Sequence, residues 1–62
     1  MPTIFVHTIK GISEEQKKNM VKRVAEVSAR DVGVPQEGVK IILTERSPND
    51  MAIGGKLFSE LL

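Results

Sequence analysis

Few residues in this chain can do chemistry, and the first is Pro2, directly behind Met1. Proline has no backbone N–H and a fixed φ, so it is tolerated at the first position of a strand, and Met-Pro has a purely structural reading. The second reading is chemical. An initiator methionine before a small residue is commonly trimmed, and Pro2 would then carry a free secondary amine able to move protons. An α-amine has a reference pKa of about 7.7–8.0, so near neutral pH only a minority is free base. An apolar pocket disfavours the ammonium and lowers that value towards the range that suits a general base. With Met1 attached, the same nitrogen is an amide and has no useful basicity. The other polar candidates are thin: a single histidine, His7, no cysteine, and no ligand cluster, so no metal is expected.

The elements that must hold these residues are readable from pattern. The run TIFVHTI, Thr3 to Ile9, is β-branched and aromatic with apolar residues on both alternating faces, which suits a strand covered on both sides. Gly11 breaks it. Ser13 is an N-cap with Gln16 placed to complete a capping box, and Glu14 and Glu15 suit the positive end of a helix. Along that helix Met20, Val21, Val24, Ala25, Ser28 and Val32 form one apolar stripe. Lys17, Lys18, Lys22, Arg23, Glu26 and Arg30 form a solvated face beside it. Gly33 supplies the left-handed stop and Pro35 forbids continuation. A turn through Gln36, Glu37 and Gly38 leads to a second strand, VKIILTE, Val39 to Glu45. Ser47-Pro48-Asn49-Asp50 is turn chemistry, and a short hairpin about Gly54-Gly55 precedes an apolar C-terminal tail. The expected fold is therefore α/β (α+β): a β-α-β unit with parallel strands and a short C-terminal hairpin.

The totals limit what such a unit can do alone. At 62 residues it is one domain, spanning 1–62, and so short a chain hides a small share of its surface. Without Cys, Trp or Tyr it has neither disulfides nor a heavy aromatic core to compensate. Phe58, Leu61 and Leu62 would be a liability on a monomer, so they are expected to lie against a neighbouring subunit of a homo-oligomer. Nine Lys plus Arg against eight Asp plus Glu leave a charge of +1, too balanced for a nucleic-acid partner. No stretch is apolar enough to cross a membrane and no leader pattern opens the chain, so a cytoplasmic location is expected.

Pro2 behind Met1, a strand carrying His7, the run Gly11, Ser13, Glu15, Gln16, Lys17, then Pro35, the strand VKIILTE and the closing Ile53-Gly54-Gly55 together resemble the 4-oxalocrotonate tautomerase family. The likeness runs ungapped over nearly the whole chain. It implies β-α-β subunits that pair into a four-stranded sheet, with three such dimers usually forming a hexamer. It also implies an amino-terminal proline acting as general base and acid between keto and enol forms, with no cofactor.

Carried onto this sequence, the resemblance makes Pro2 the catalytic residue of a keto–enol tautomerase acting on a small 2-oxo acid or enol. Lys40 stands where the family has an arginine, supplied across a subunit interface, that polarises the substrate oxygen. Lysine keeps the charge but not the two-pronged donor, so its grip on a carboxylate is looser. A solvated strand lysine is the equal alternative. Ile9, Met51 and Ile53 match apolar positions that keep the pocket dry; Met51 replaces an aromatic. Ile12 stands where better-known members carry an arginine for the far carboxylate of a dicarboxylate, which points to a monocarboxylate or aryl enol, with Lys10 and Arg46 as the cations left to substitute. His7 reads as a hydrogen-bonded strand residue. The competing function is a catalytically silent assembly subunit of the same fold, motivated by Ile12 and by a nitrogen that is inert while Met1 remains.

Overall fold

The computed structural model describes residues 1–62 as β1 (Thr3–Ile9), α1 (Glu14–Val32), a 3-10 turn at Gln36–Gly38 and β2 (Lys40–Arg46). A second 3-10 turn at Pro48–Asp50 leads to β3 (Ala52–Ile53), β4 (Lys56–Leu57) and the one-turn helix α2 (Phe58–Leu61). β1 and β2 are parallel neighbours, and β3 and β4 form a separate antiparallel pair. The expected β-α-β unit with its terminal hairpin is thus present. The second strand is displaced by one residue from the run Val39 to Glu45, because Val39 caps the preceding 3-10 turn through its N–H to the Gln36 carbonyl.

Local chemistry sets the ends of α1. The Ser13 hydroxyl accepts the Gln16 N–H at 3.1 Å, and the Gln16 side chain accepts the Ser13 N–H at 2.8 Å, so two of the helix's orphan donors are satisfied reciprocally. At the other end Gly33 takes φ 81°, and its N–H and that of Val34 both close on the Ala29 carbonyl. Nineteen residues at about 1.5 Å each give roughly 28 Å, enough to return the chain along the full length of a seven-residue strand.

The sheet has one covered face. Register pairs Ile4 with Ile41, Val6 with Leu43 and Thr8 with Glu45, all half-buried on the helix side. The opposite face carries Thr3, Phe5, His7 and Ile9 beside Lys40, Ile42, Thr44 and Arg46. Phe5 is 65% exposed there and Ile42 is exposed beside it. The apolar stripe of α1 is also incomplete as read: Ala29 is the one buried residue, at 7% exposure, while Val32 is exposed because it sits in the last turn. Lys17 departs from the solvated face. It forms an ion pair with Glu45, fastening the first turn of α1 to the helix side of β2.

The C-terminal segment packs chiefly upon itself. Gly54 and Gly55, at φ 61° and 83°, make the tight turn joining β3 to β4, which other residues would strain to adopt. The Phe58 N–H then donates to the Met51 carbonyl at 2.8 Å, so the apolar tail is a helical turn folded back on the 3-10 turn, with Phe58 half-buried and Leu61 and Leu62 exposed. The resulting shape is open. Its radius of gyration is 14.4 Å; a compact chain of this length would have about 10.6 Å. Its accessible surface is 4713 Å², against roughly 4,000 Å² for a compact monomer of its mass.

The Glu45 carboxylate, by accepting a hydrogen bond, raises the Lys17 ammonium above its ordinary value, with smaller help from the nearby charges of Glu45 and Glu14 against a desolvation that lowers it. A raised lysine value means that the pair's stabilisation is complete below the ordinary value and is lost as pH rises through the raised one. Wild type should therefore lose stability more steeply than Lys17→Met in alkaline solution. Urea unfolding at one protein concentration measures this, and parallel pH profiles would refute it.

Candidate active site

Pro2 and Lys40 come together through the strand register. Lys40 is the partner of Thr3, and its N–H donates to the Pro2 carbonyl at 3.0 Å, so the first backbone bond of β2 is made to the residue whose nitrogen is of interest. Pro2 can occupy this place because it accepts with its carbonyl and no donor is required of it. Pro2 is half-buried, and Lys40 stands exposed on the open face of the sheet. A cation and the proline thus share one end of the strand pair.

Ile9 lies at the opposite end. Six rises separate it from Thr3, about 20 Å along the strand. Beside it are its register partner Arg46 and Lys10, whose N–H donates to the Arg46 carbonyl at 2.9 Å. Both cations are exposed, and neither forms an ion pair within the chain. Ile12 is half-buried in the link to α1. Met51 and Ile53 follow β2 from this same end: Met51 is half-buried and Ile53 is 64% exposed on β3.

Of the five residues singled out from sequence, the register brings Pro2 and Lys40 together and sets Ile9 at the far end of β1, while Met51 and Ile53 follow β2 beyond Arg46. The length of β1 separates Ile9 from Pro2 within one chain. His7 faces the open side next to Thr44, and its ring makes no hydrogen bond within the chain, which corrects the expectation of a hydrogen-bonded strand residue. Gly38, read from sequence only as a turn residue, lies beside the amino-terminal residues at the proline end. Its place was hidden because a glycine ending a turn carries no side-chain signal.

Comparison with known proteins bears on this arrangement. The profile of the family described as Tautomerase enzyme matches residues 2–61. The chain belongs to the 4-oxalocrotonate tautomerase family. It is 34% identical to a 2-hydroxymuconate tautomerase of Pseudomonas putida over 61 residues, covering 98% of this chain and 97% of that one. It is 38% identical to a probable tautomerase of Lactiplantibacillus plantarum over 60 residues, covering 97% and 94%. Among solved structures, a heterohexamer 4-oxalocrotonate tautomerase from Chloroflexus aurantiacus superposes with a TM-score of 0.94 at 27% identity, each chain fully covered. The β-α-β arrangement with its terminal hairpin is thus the fold of the tautomerase family, and the chain is of a family of tautomerase-type isomerases.

Within this chain Lys40 contributes to the fold through its backbone: its side chain is exposed and makes no hydrogen bond or ion pair. Lys40→Ala should change the unfolding free energy by less than about 0.5 kcal/mol, as expected of an exposed side chain without partners. A larger loss in a denaturant titration would show that the ammonium supports the fold.

Proposed function

We propose that this tautomerase interconverts keto and enol forms of a small 2-oxo acid without cofactor or metal, and that Pro2 carries the proton. The observation that supports this most directly is the 3.0 Å bond between the Lys40 N–H and the Pro2 carbonyl, which holds a cation-bearing residue beside the proline. The reading requires hydrolysis of the Met1–Pro2 bond: water adds, methionine leaves, and the amide nitrogen becomes a secondary amine. As free base that amine takes the proton from one end of the enol system, the electron pair shifts along the conjugated atoms, and the ammonium returns the proton at the other end. The reaction is an isomerisation, so protons and electrons balance with no co-reactant. A dry wall of Ile9, Met51 and Ile53 would disfavour the ammonium and so enlarge the free-base fraction of the amine near neutral pH. Lys40 would steady the negative charge that develops on the substrate oxygen.

The wall must come from other copies. β1 has a free edge, and a second copy running antiparallel along it would form a four-stranded sheet and bring its own Ile9 end towards Pro2 of the first. Three such dimers would cover the open faces bearing Phe5 and Ile42, which is the hexamer this reading includes. Lys40 would then serve its own or a neighbouring Pro2. Because Ile12 has no charge, the substrate on this reading is a monocarboxylate or aryl enol rather than a dicarboxylate. A second reading, a silent assembly subunit, is favoured by that same Ile12 and by lysine in place of the bidentate donor. Its distinguishing mark is a fully retained Met1 in the intact mass of native protein.

Two outcomes are expected of protein whose mass lacks Met1. Pro2→Ala should abolish ketonisation of phenylenolpyruvate, followed by ultraviolet absorbance, while circular dichroism and assembly size stay as in wild type; undiminished turnover would defeat the assignment. Lys40→Ala should lower kcat/KM by about a hundredfold, the low end of the range for one lost charge-stabilising donor. Unchanged kinetics would make Lys40 a solvated strand residue.

A further inference from the structure

Gly38 carries a consequence that its place in a turn conceals. The parallel register that sets Thr3 opposite Lys40, run back two residues, brings Met1 alongside Gly38. The contact is close: a β-carbon built on Gly38 would overlap the Met1 sulfur and stand 2.6 Å from its methyl carbon, and the three nearest atoms all belong to Met1. Nothing in the backbone demands glycine here, because Gly38 is absent from the residues with positive φ and its N–H makes an ordinary 2.9 Å turn bond to the Pro35 carbonyl. What the missing side chain provides is room. Met1 is 84% exposed, so the thioether lies on a bare ledge of backbone rather than in a closed cavity. The ledge lies two residues before Lys40, and the side chain that reaches it belongs to the residue bonded to the Pro2 nitrogen.

We propose that Gly38 determines substrate specificity by offering this ledge to the apolar substituent of the enol, and that Met1 occupies it until removed. This rests on Pro2 becoming the terminal amine. Loss of Met1 then does two things at once: it frees the nitrogen and vacates a surface that has already accommodated an unbranched apolar chain. A substrate held there presents its carboxylate or oxygen towards Lys40 and lays an aryl or alkyl arm, borne by the carbon that exchanges the proton, across Gly38. The Met1 thioether is the free end of a flexible, exposed side chain and would swing aside from a β-carbon at position 38, whereas a substrate arm anchored by its reacting carbon at Pro2 would be displaced by it. The substrate class is thus narrowed to 2-oxo acids whose reacting carbon carries an apolar group of about methionine's length.

The test compares Met1-free wild type, Gly38→Ala and Gly38→Val on phenylenolpyruvate and on the enol of 2-oxobutanoate, which bears only a methyl group. The ratio of kcat/KM for the aryl over the methyl substrate should fall by about tenfold in Gly38→Ala and further in Gly38→Val, mainly through KM, as expected of a filled apolar subsite. A ratio within twofold of wild type in both variants would overturn the proposal. A binding arm reads the ledge without chemistry: calorimetry of 3-phenylpropanoate should show weaker binding to Gly38→Val and to wild type that retains Met1 than to Met1-free wild type. Equal binding by all three would also overturn it. Undiminished turnover in Pro2→Ala would sink the proton-transfer reading alone, since the binding arm still judges the ledge. Gly38→Ala, the smaller change, guards against a folding defect in Gly38→Val, with assembly size and circular dichroism as the checks.

Discussion

One covered face of a two-stranded sheet is all the burial this chain achieves, and the remaining features depend on that limit. A single helix can lie on a single side, so Ile4, Val6, Ile41 and Leu43 are sheltered while Phe5 and Ile42 are left facing outward. With only Ala29 buried, the hydrophobic contribution available within one chain is small against the conformational entropy of ordering 62 residues. The open edge of β1, the bare face and the self-packed C-terminal turn all leave surface for which a second copy is the simplest cover. The Lys17–Glu45 pair belongs to this setting, joining the first turn of the helix to the end of β2 where apolar contacts are few.

The same geometry shapes the chemistry. A parallel pair puts both strand starts at one end, so the proline and the Lys40 backbone are necessarily neighbours, and it puts both strand ends about 20 Å away, with the hairpin leaving from there. A proton-transferring amine needs both a cation for the substrate oxygen and a dry apolar wall. On the reading proposed above, Lys40 and the apolar Ile9 stand at opposite ends of β1 within one subunit, so self-association and catalysis are linked. On that reading Ile12 and Lys40 act on specificity in the same direction: fewer bidentate cations mean weaker selection for a second carboxylate, and the proposed ledge at Gly38 would supply apolar contact in its place.

Much of this was legible from residue types. The capping box at Ser13 and Gln16, the stop at Gly33 and the Gly54-Gly55 turn could be read because each depends on atoms within a few residues of one another. The strand that begins at Lys40 rather than Val39 and the helical turn at Phe58–Leu61 were not, since both are settled by hydrogen bonds from neighbouring turns that outweigh a weak local preference. The pairing of Lys17 with Glu45 was hidden for a different reason. Helical periodicity sorts charges by face, but it says nothing about which charge on another element they will meet.

By itself the sequence determined the element types and their order, because propensity, capping and glycine conformations are near-neighbour effects written into adjacent residues. Only the tertiary structure decided that Lys40 sits beside Pro2, that Ile9 lies at the far end, and that Met1 rests on Gly38. Those relations follow from the parallel register. It is fixed by how a long crossover helix seats on the sheet, a contact between residues distant in sequence that no local pattern encodes.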